Sequence, residues 1–198
     1  MAFEAVCEGL LARGWAVVSD FLSPAETTAL AAAAARSRDD FRPAGVGRGA
    51  EKQVNAEIRS DLIRWLDDGA TAPDEIRAAL AKLDHLKSEL NRTLFLGLRD
   101  FEGHLAIYPP GARYQKHVDN FRDASPRALS CVLYLNDGWT QADAGQLRLY
   151  EITDPDRVAT DIAPRAGTLA VFLSREIPHE VLPTTKERIS FTGWFRDR

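Results

Sequence analysis

The sequence has 198 residues, of which 45% are hydrophobic, so one domain of ordinary size can bury a core. Its 25 lysines and arginines and 29 aspartates and glutamates leave a net charge of −4, which lacks the positive field that nucleic-acid binding requires. The longest apolar run, residues 29–35, is too short to cross a bilayer, and the first residues lack a signal-peptide pattern, so we expect a cytoplasmic protein that binds neither nucleic acid nor a membrane.

The first half of the chain carries mainly helical patterns. Hydrophobic spacing predicts helices over residues 3–11, 24–36 and 76–90, and strands over residues 15–22 and 58–66. Ser23 can cap the second helix, with Glu26 reaching back to it, and Gly14 ends the first. Residues 37–56 lack apolar periodicity and contain three glycines, so we expect a long mobile loop there.

The second half changes to short alternating runs separated by turns, which is the pattern of a sheet. Strands are predicted over residues 101–108, 114–120, 128–136, 168–173 and 187–195. Helices followed by many short strands indicate an α+β fold in which the helices back an antiparallel sandwich or barrel. The two cysteines, Cys7 and Cys131, lie in separate apolar segments, which predicts small buried side chains in a reducing compartment rather than a disulfide.

Two histidines and an aspartate form a candidate metal site. His117 and Asp119 are two residues apart in a predicted strand, so their side chains point to the same face, and His179 follows a later strand. Two imidazoles and one carboxylate leave coordination positions open, as in non-haem Fe(II) oxygenases, whereas a structural zinc site would use four protein ligands. The remaining histidines receive no role: His85 is expected on a helix surface and His104 packed within a strand.

The last predicted strand places an arginine on its polar face. Because His179 lies only nine residues before Arg188, we expect it on the neighbouring strand, with Arg188 projecting into the metal cavity. A buried arginine is costly unless an anion meets it, so this arrangement predicts a ligand that carries a carboxylate. Tyr134, on another predicted strand, is a second candidate donor to that anion.

Several of these segments resemble one enzyme family. They read YQKHVDN (114–120), CVLYLNDGW (131–139), AGQLRLY (144–150), PHEVLPTTKERISFTGWF (178–195), and, upstream, IRSDLIRWL (58–66) and LAIYPPG (105–111). They resemble the prolyl 4-hydroxylase-type Fe(II)/2-oxoglutarate dioxygenases, in particular the oxygen-sensing prolyl hydroxylases and their bacterial relatives. HxD alone is common by chance, so the resemblance rests on HxD, a distant histidine and an arginine nine residues later, in this order.

The resemblance implies a double-stranded β-helix of roughly eight strands, a barrel-like way of closing sheet edges. Residues 1–198 would form a single Fe(II)/2-oxoglutarate dioxygenase domain. Residues 1–100 would hold the supporting helices, the first strands and the loop at about 37–56, and residues 101–198 the core barrel strands.

The resemblance also assigns roles to ten residues. His117, Asp119 and His179 would bind iron, and Arg188, helped by Tyr134 and Thr192, would pair with the distal carboxylate of 2-oxoglutarate. Tyr108, Leu147 and Trp194 would line the co-substrate pocket, while Arg127 and Trp194 would contact the substrate. The implied cofactors are Fe(II), 2-oxoglutarate and dioxygen as co-substrates, and ascorbate as a candidate reductant.

The implied reaction is hydroxylation at C4 of a prolyl residue in a protein, with release of succinate and carbon dioxide. A bacterial-type enzyme acting on a cytosolic protein fits the resemblance, with elongation factor Tu as a candidate partner. The length of the loop at 37–56 and its place before IRSDLIRWL favour a mobile loop that closes over the substrate peptide, and its arginines, Arg42 and Arg48, could meet an acidic peptide or simply be solvated. Leu133 departs from the tyrosine of the animal enzymes, so their target is not carried over.

Two other functions stay open at this stage. The same chemistry could act on a free amino acid or another small molecule, although Arg127 matches a peptide-facing position of the animal enzymes. A cupin-like sensor that binds 2-oxoglutarate or metal without turnover is the other alternative, and the open coordination positions argue against it. A nucleic-acid demethylase would need a basic groove, which a net charge of −4 does not supply.

Overall fold

A computed structural model describes residues 2–45, 53–66, 72–119 and 126–197. The helices are Ala2–Arg13 (α1), Pro24–Arg36 (α2) and Asp74–Leu94 (α3). The strands are Trp15–Val18 (β1), Arg42–Pro43 (β2), Leu62–Trp65 (β3), Asp100–Tyr108 (β4), Tyr114–His117 (β5), Arg127–Tyr134 (β6), Leu147–Tyr150 (β7), Val158–Ile162 (β8), Leu169–Leu173 (β9), His179–Val181 (β10) and Arg188–Arg196 (β11). Within the part of the chain described, no helix combines the length and hydrophobicity needed to cross a membrane.

The strands form two antiparallel sheets. The large sheet has the order β1-β9-β6-β11-β4-β3-β2, and the small sheet has the order β5-β10-β7-β8. Side chains from both sheets meet in one apolar cluster that includes Tyr134 and Leu147. This arrangement confirms the predicted α+β class and the double-stranded β-helix.

The three helices cover the outer face of the large sheet. Their apolar stripes form one cluster with the outward side chains of the central strands, among them Leu83 of α3, Leu133 of β6 and Phe191 of β11. Cys131 lies in the same cluster, as its alternation with leucines predicts, and both cysteines are free and buried. The inward side chains of the same strands are therefore left to face the small sheet.

Local signals place the helices as predicted. Gly14 has a left-handed φ of 81° directly after α1, a conformation that glycine adopts without strain. Ser23 caps α2: its hydroxyl accepts from the Glu26 amide at 3.3 Å, while the Glu26 carboxylate accepts from the Ser23 amide at 2.8 Å. Lys82 of α3 binds the same carboxylate at 2.7 Å, which joins the two helices at this cap.

Several predicted boundaries are wrong. The strand expected at 15–22 ends at Val18, because the chain turns with a left-handed Asp20. The strand expected at 58–66 begins only at Leu62, after a turn. The expected loop at 37–56 contains a 3-10 turn, Arg38–Asp40, and strand β2, because Arg42 and Pro43 pair with β3. Its remaining part, including Gly47 and Arg48, falls largely outside the described residues.

Candidate metal centre and co-substrate cavity

A cavity lies between the two sheets. Eight of the ten residues singled out above line it, the exceptions being Tyr134 and Arg127. The cavity wall on the large-sheet side comes from the inward side chains of β4, β6 and β11, and the opposite wall from β5, β7 and β10. The sheets therefore bring together residues that are far apart in the sequence.

The structure brings His117, Asp119 and His179 together at one end of this cavity. One ligand atom from each lies within 4.8 Å of the others. The Nε2 atom of His117 is 3.5 Å from Asp119 Oδ1, and the Nε2 atom of His179 is 3.6 Å from Asp119 Oδ2. The two histidines face each other because β5 and β10 pair directly, His117 opposite His179.

The prediction that Asp119 lies on the same strand as His117 is wrong. Strand β5 ends at His117, and Asp119 lies in the bend that follows. The carboxylate is held instead by two strands of the large sheet: Oδ2 accepts hydrogen bonds from Ser130 Oγ at 2.6 Å and from Trp194 Nε1 at 2.8 Å. Ser174 extends this network through its hydroxyl, 2.8 Å from that of Ser130.

Backbone carbonyls orient both imidazoles. The Nδ1 atom of His117 lies 2.7 Å from the Gln115 carbonyl, and that of His179 lies 3.0 Å from the Ile177 carbonyl. Since a carbonyl only accepts, each Nδ1 carries the proton, and each Nε2 presents its lone pair toward Asp119. This second layer of contacts is typical of metal-binding histidines.

Electrostatics in the cavity keep His179 and Asp119 in the states that bind metal. Burial and the neighbouring His117 lower the pKa of His179 to about 4, so its imidazole is neutral at neutral pH. Burial alone would raise the pKa of Asp119, but its interactions with the two histidines and the hydrogen bond from Ser130 outweigh burial and hold this pKa well below its usual value. Two imidazoles and one carboxylate on one side of an ion are the donor set of non-haem Fe(II) oxygenases.

Arg188 lies at the other end of the cavity wall. Its side chain is 1% exposed, and its guanidinium carbon lies 4.8 Å from the ring centre of Tyr108 and 5.1 Å from that of Tyr134. Among the described residues no carboxylate is within ion-pair distance of it, and its Nε atom and the Tyr134 hydroxyl lack hydrogen-bond partners. A buried cation beside unsatisfied donors fits a ligand that brings a carboxylate.

The prediction that His179 and Arg188 occupy neighbouring strands is wrong. Strand β10 belongs to the small sheet, whereas β11 lies between β4 and β6 in the large one. Residues 182–187 cross from one sheet to the other, so the two side chains reach the cavity from opposite walls. The cavity still contains both, as predicted.

The other predicted pocket residues take varied positions. Tyr108 and Leu147 are buried in the wall, and Thr192 shares a 3.1 Å hydrogen bond with Ser190. Burial raises the pKa of Tyr134 to about 12 and that of Tyr108 still further, so both phenols stay protonated and can donate.

Arg127 lies outside the cavity wall. Its guanidinium carbon is 3.4 Å from the ring centre of Trp194, and its Nε donates to Glu102 at 2.7 Å. Trp194 thus separates Arg127 from Asp119, to which the Trp194 indole donates. Trp194 was predicted only as a pocket and substrate contact, so this hydrogen bond is an additional finding.

Sequence reasoning missed a stack of side chains on the first histidine. The Tyr114 ring stacks on His117 with centres 3.6 Å apart, and the Arg59 guanidinium lies 4.6 Å from the Tyr114 ring centre. Asp61, fully buried, holds Arg59 through two hydrogen bonds of 2.7 and 2.9 Å. Both segments belong to the motifs named above, but the sequence does not indicate that they meet, which they do at a β-bridge between Arg59 and Tyr114.

Comparison with known proteins identifies the family that shares this fold and site. The 2OG-Fe(II) oxygenase superfamily matches residues 103–196. A prolyl-4-hydroxylase of known structure from Pseudomonas putida is 44% identical, covers 99% of both chains and superimposes with a TM-score of 0.87. The chain belongs to the 2OG-Fe(II) oxygenase superfamily. The predicted family is therefore confirmed.

Two animal prolyl hydroxylases are also similar. A hypoxia-inducible factor prolyl hydroxylase from Caenorhabditis elegans is 36% identical over 98% of this chain, which spans only 28% of that relative's length. A Trichoplax adhaerens prolyl hydroxylase, solved with a hypoxia inducible factor oxygen degradation domain peptide fragment, is 27% identical with a TM-score of 0.85, covering 98% of this chain and 89% of that one.

The cavity fits the cofactors of the superfamily. Fe(II) suits the donor set of His117, Asp119 and His179, and 2-oxoglutarate brings the carboxylate that the buried Arg188 lacks. The predicted cofactors, Fe(II) and 2-oxoglutarate with dioxygen, are confirmed by membership in this family together with the donor set.

Proposed function

We propose that the chain is an Fe(II)- and 2-oxoglutarate-dependent dioxygenase that hydroxylates C4 of a prolyl residue in a protein substrate. The observation that carries this proposal is a single cavity with a His-Asp-His donor set at one end and an unpaired buried arginine at the other. The 44% identity to a bacterial prolyl-4-hydroxylase across the whole chain supports the choice of a prolyl residue.

Three residues would hold the ferrous ion. His117 and His179 offer Nε2 lone pairs whose directions the carbonyls of Gln115 and Ile177 set. Asp119 offers a carboxylate whose Oδ2 is anchored by Ser130 and Trp194, which leaves Oδ1 as the oxygen for the ion. When bound, iron with 2-oxoglutarate and dioxygen supplies the oxidising chemistry that replaces a C–H bond by C–OH and releases succinate and carbon dioxide.

The far wall would bind the co-substrate. Arg188 pairs with the distal carboxylate, and Tyr134 donates its otherwise unpaired hydroxyl to the same group. Thr192, four residues further along β11, continues this polar wall toward the metal. Tyr108, Leu147 and Trp194 surround the ligand with buried, mostly apolar surface, which excludes water from the reacting atoms.

A peptide would reach the metal end of the cavity past Trp194. The Trichoplax relative, solved with a bound peptide fragment, supports a protein rather than a free amino acid as substrate. Arg127, which lies over Trp194, and the segment at about 37–56 are the proposed peptide contacts. Nothing in the contacts or relatives favours elongation factor Tu, so that target stays a prediction from the resemblance, as does ascorbate.

A cytoplasmic location is part of the proposal. Both cysteines are free and buried, which suits a compartment where thiols stay reduced. Fractionation of cells that express a tagged chain checks this location, and enrichment outside the cytoplasm contradicts it.

The test supplies Fe(II), 2-oxoglutarate and air with a library of proline-containing peptides and, separately, with free proline. We expect succinate release coupled to a mass gain of one oxygen atom on peptides, located at proline by fragmentation. Asp119→Ala is the control and should abolish both products. Oxidation of free proline alone would favour a small-molecule hydroxylase, and 2-oxoglutarate binding without succinate release would favour a sensor.

A further inference from the structure

One buried polar atom in the cavity wall has no role so far. Among the described residues, the buried side-chain nitrogen and oxygen atoms without a hydrogen-bond partner are Arg188 Nε, Tyr134 Oη and His104 Nδ1. The proposed function assigns the first two to the distal carboxylate of 2-oxoglutarate. An unsatisfied buried polar group costs stability, so His104 needs an explanation of its own.

His104 lies on β4 with its side chain in the cavity wall. It is 1% exposed and pairs across the sheet with Thr192 on one side and Trp65 on the other. Its ring centre lies 5.5 Å from that of Trp194 and 5.0 Å from that of Trp65. These two indoles confine the imidazole, so a ligand in the cavity is what can reach it.

The surroundings keep this imidazole neutral. Burial, and then the positive charges of Arg59 and Arg127, lower the pKa of His104 well below its ordinary value. A neutral imidazole has one N–H donor and one acceptor nitrogen. The nearby arginines favour an anionic partner, to which the imidazole would donate.

The register of the sheet indicates which part of a ligand meets His104. Across the sheet, Arg188 pairs with Tyr108 and Thr192 pairs with His104. These two rows of paired residues lie four residues, or roughly 13 Å of strand, apart. The Arg188 guanidinium lies 5.1 Å from the ring of Tyr134, which pairs with Ser190, midway between the two rows. A diacid whose distal carboxylate is held by this guanidinium therefore has only the second half of that distance to span toward the His104 row. That row is also the metal end, because Trp194, which touches His104, donates to Asp119.

We propose that His104 is a co-substrate-binding residue whose imidazole donates a hydrogen bond to the C1 carboxylate of 2-oxoglutarate, the one next to the keto group. The inference rests on the proposed function and deepens it. Arg188 then selects the distal carboxylate and His104 the keto-acid end, so the two ends of the wall recognise the two ends of one ligand.

The test measures binding without turnover. Protein loaded with Mn(II) in the absence of oxygen is titrated with 2-oxoglutarate by calorimetry. We expect His104→Met, which keeps an apolar side chain of similar length, to weaken binding by roughly 10- to 100-fold, the usual loss for a hydrogen bond to a charged group. His104→Asn, which keeps a donor close to the position of Nδ1, should recover most of this loss.

Two controls isolate the effect. His85→Met alters the exposed histidine of α3 and should leave 2-oxoglutarate affinity unchanged. In the wild-type protein loaded with Zn(II), long-range proton–nitrogen spectra should show the His104 ring signals shifting when 2-oxoglutarate is added, while those of His85 stay in place. This second measurement decides the matter even if His104→Met does not fold.

The outcomes separate this inference from the proposed function. Wild-type affinity in His104→Met, or ring signals of His104 that ignore 2-oxoglutarate, would overturn it. It is also wrong if His104→Met weakens peptide binding alone, because the imidazole then contacts the target chain. A wild-type protein that binds no 2-oxoglutarate contradicts the proposed function itself.

Discussion

The two faces of the large sheet differ in what they do for the protein. Outward side chains of β4, β6 and β11, such as Leu105, Leu133 and Phe191, are apolar and buried against the helices. Inward side chains of the same strands include Arg188 and His104, which have buried polar atoms without partners. One face therefore supplies stability, and the other face gives up stability to keep donors ready for a ligand.

The largest effect on folding should come from the outward face. Phe191→Ala removes a ring that is 1% exposed and packs 6.0 Å from the Phe101 ring, so we expect the free energy of unfolding to fall by about 3–5 kcal/mol. Urea denaturation measures this loss. Thr192→Ala, on the inward face of the same strand, should cost about 1 kcal/mol or less, and equal losses would contradict the division between faces.

The largest effect on ligand binding should come from the inward face. Arg188→Met should weaken 2-oxoglutarate binding by roughly 30-fold to several thousandfold, because the distal carboxylate loses its buried partner. The same substitution should leave the free energy of unfolding of the ligand-free protein unchanged or higher, since it removes an unpaired buried charge.

Calorimetry and urea denaturation test both halves of this prediction. The matched control is Arg148→Met on β7. It removes an arginine whose Nε lies 2.8 Å from the Asp161 carboxylate, and it should not change 2-oxoglutarate affinity. A large loss of stability in Arg188→Met would mean that the arginine has a structural partner after all.

A smaller effect should follow from loosening the carboxylate ligand. Trp194→Phe removes the indole N–H that donates to Asp119, and we expect metal affinity to fall by about 10- to 100-fold. Competition with a chelator measures the metal affinity. Trp139→Phe removes a similar indole hydrogen bond, to the Ala144 carbonyl, outside the cavity wall, and should leave metal affinity as it is. Equal effects of the two variants would indicate general destabilisation.

The smallest expected effect is on the pH dependence of stability. Because burial holds the pKa of His104 well below its ordinary value, the unfolded chain takes up a proton there that the folded protein excludes. The free energy of unfolding should therefore decrease as pH falls below about 6.5. In His104→Met this decrease should be less steep, because up to one fewer proton is taken up on unfolding. Thermal unfolding between pH 7 and pH 5, roughly spanning the ordinary histidine pKa, measures the slope. His85→Met is the comparison, and equal changes would rule out His104 as the source.

Much of the molecule could be predicted from local signals. The cap at Ser23 and the glycine at 14 set helix ends, and alternation separated Leu133 from Tyr134 on β6. These features depend on neighbours in the sequence. The ligand set came from residue type and spacing together with the family resemblance, since HxD alone is frequent.

The errors concern contacts between distant segments. Sequence spacing suggested that His179 and Arg188 share a sheet, but strand pairing is decided by the whole topology, and they lie in different sheets. The hydrogen bond from Arg127 to Glu102 of β4 was likewise not predicted. The stack of Arg59 on Tyr114 needed two segments to meet across more than fifty residues, and neither segment alone indicates this contact.

Strand β5 is only four residues long and forms the border of the small sheet, where it pairs with β10. It nevertheless carries His117, while the carboxylate just beyond it is tied to β6 and β11. An ion bound by both side chains would therefore connect this edge strand of the small sheet to the central strands of the large sheet. Removal of the metal by a chelator should therefore speed up amide hydrogen exchange at residues 114–117, while the amides of the central strands stay protected.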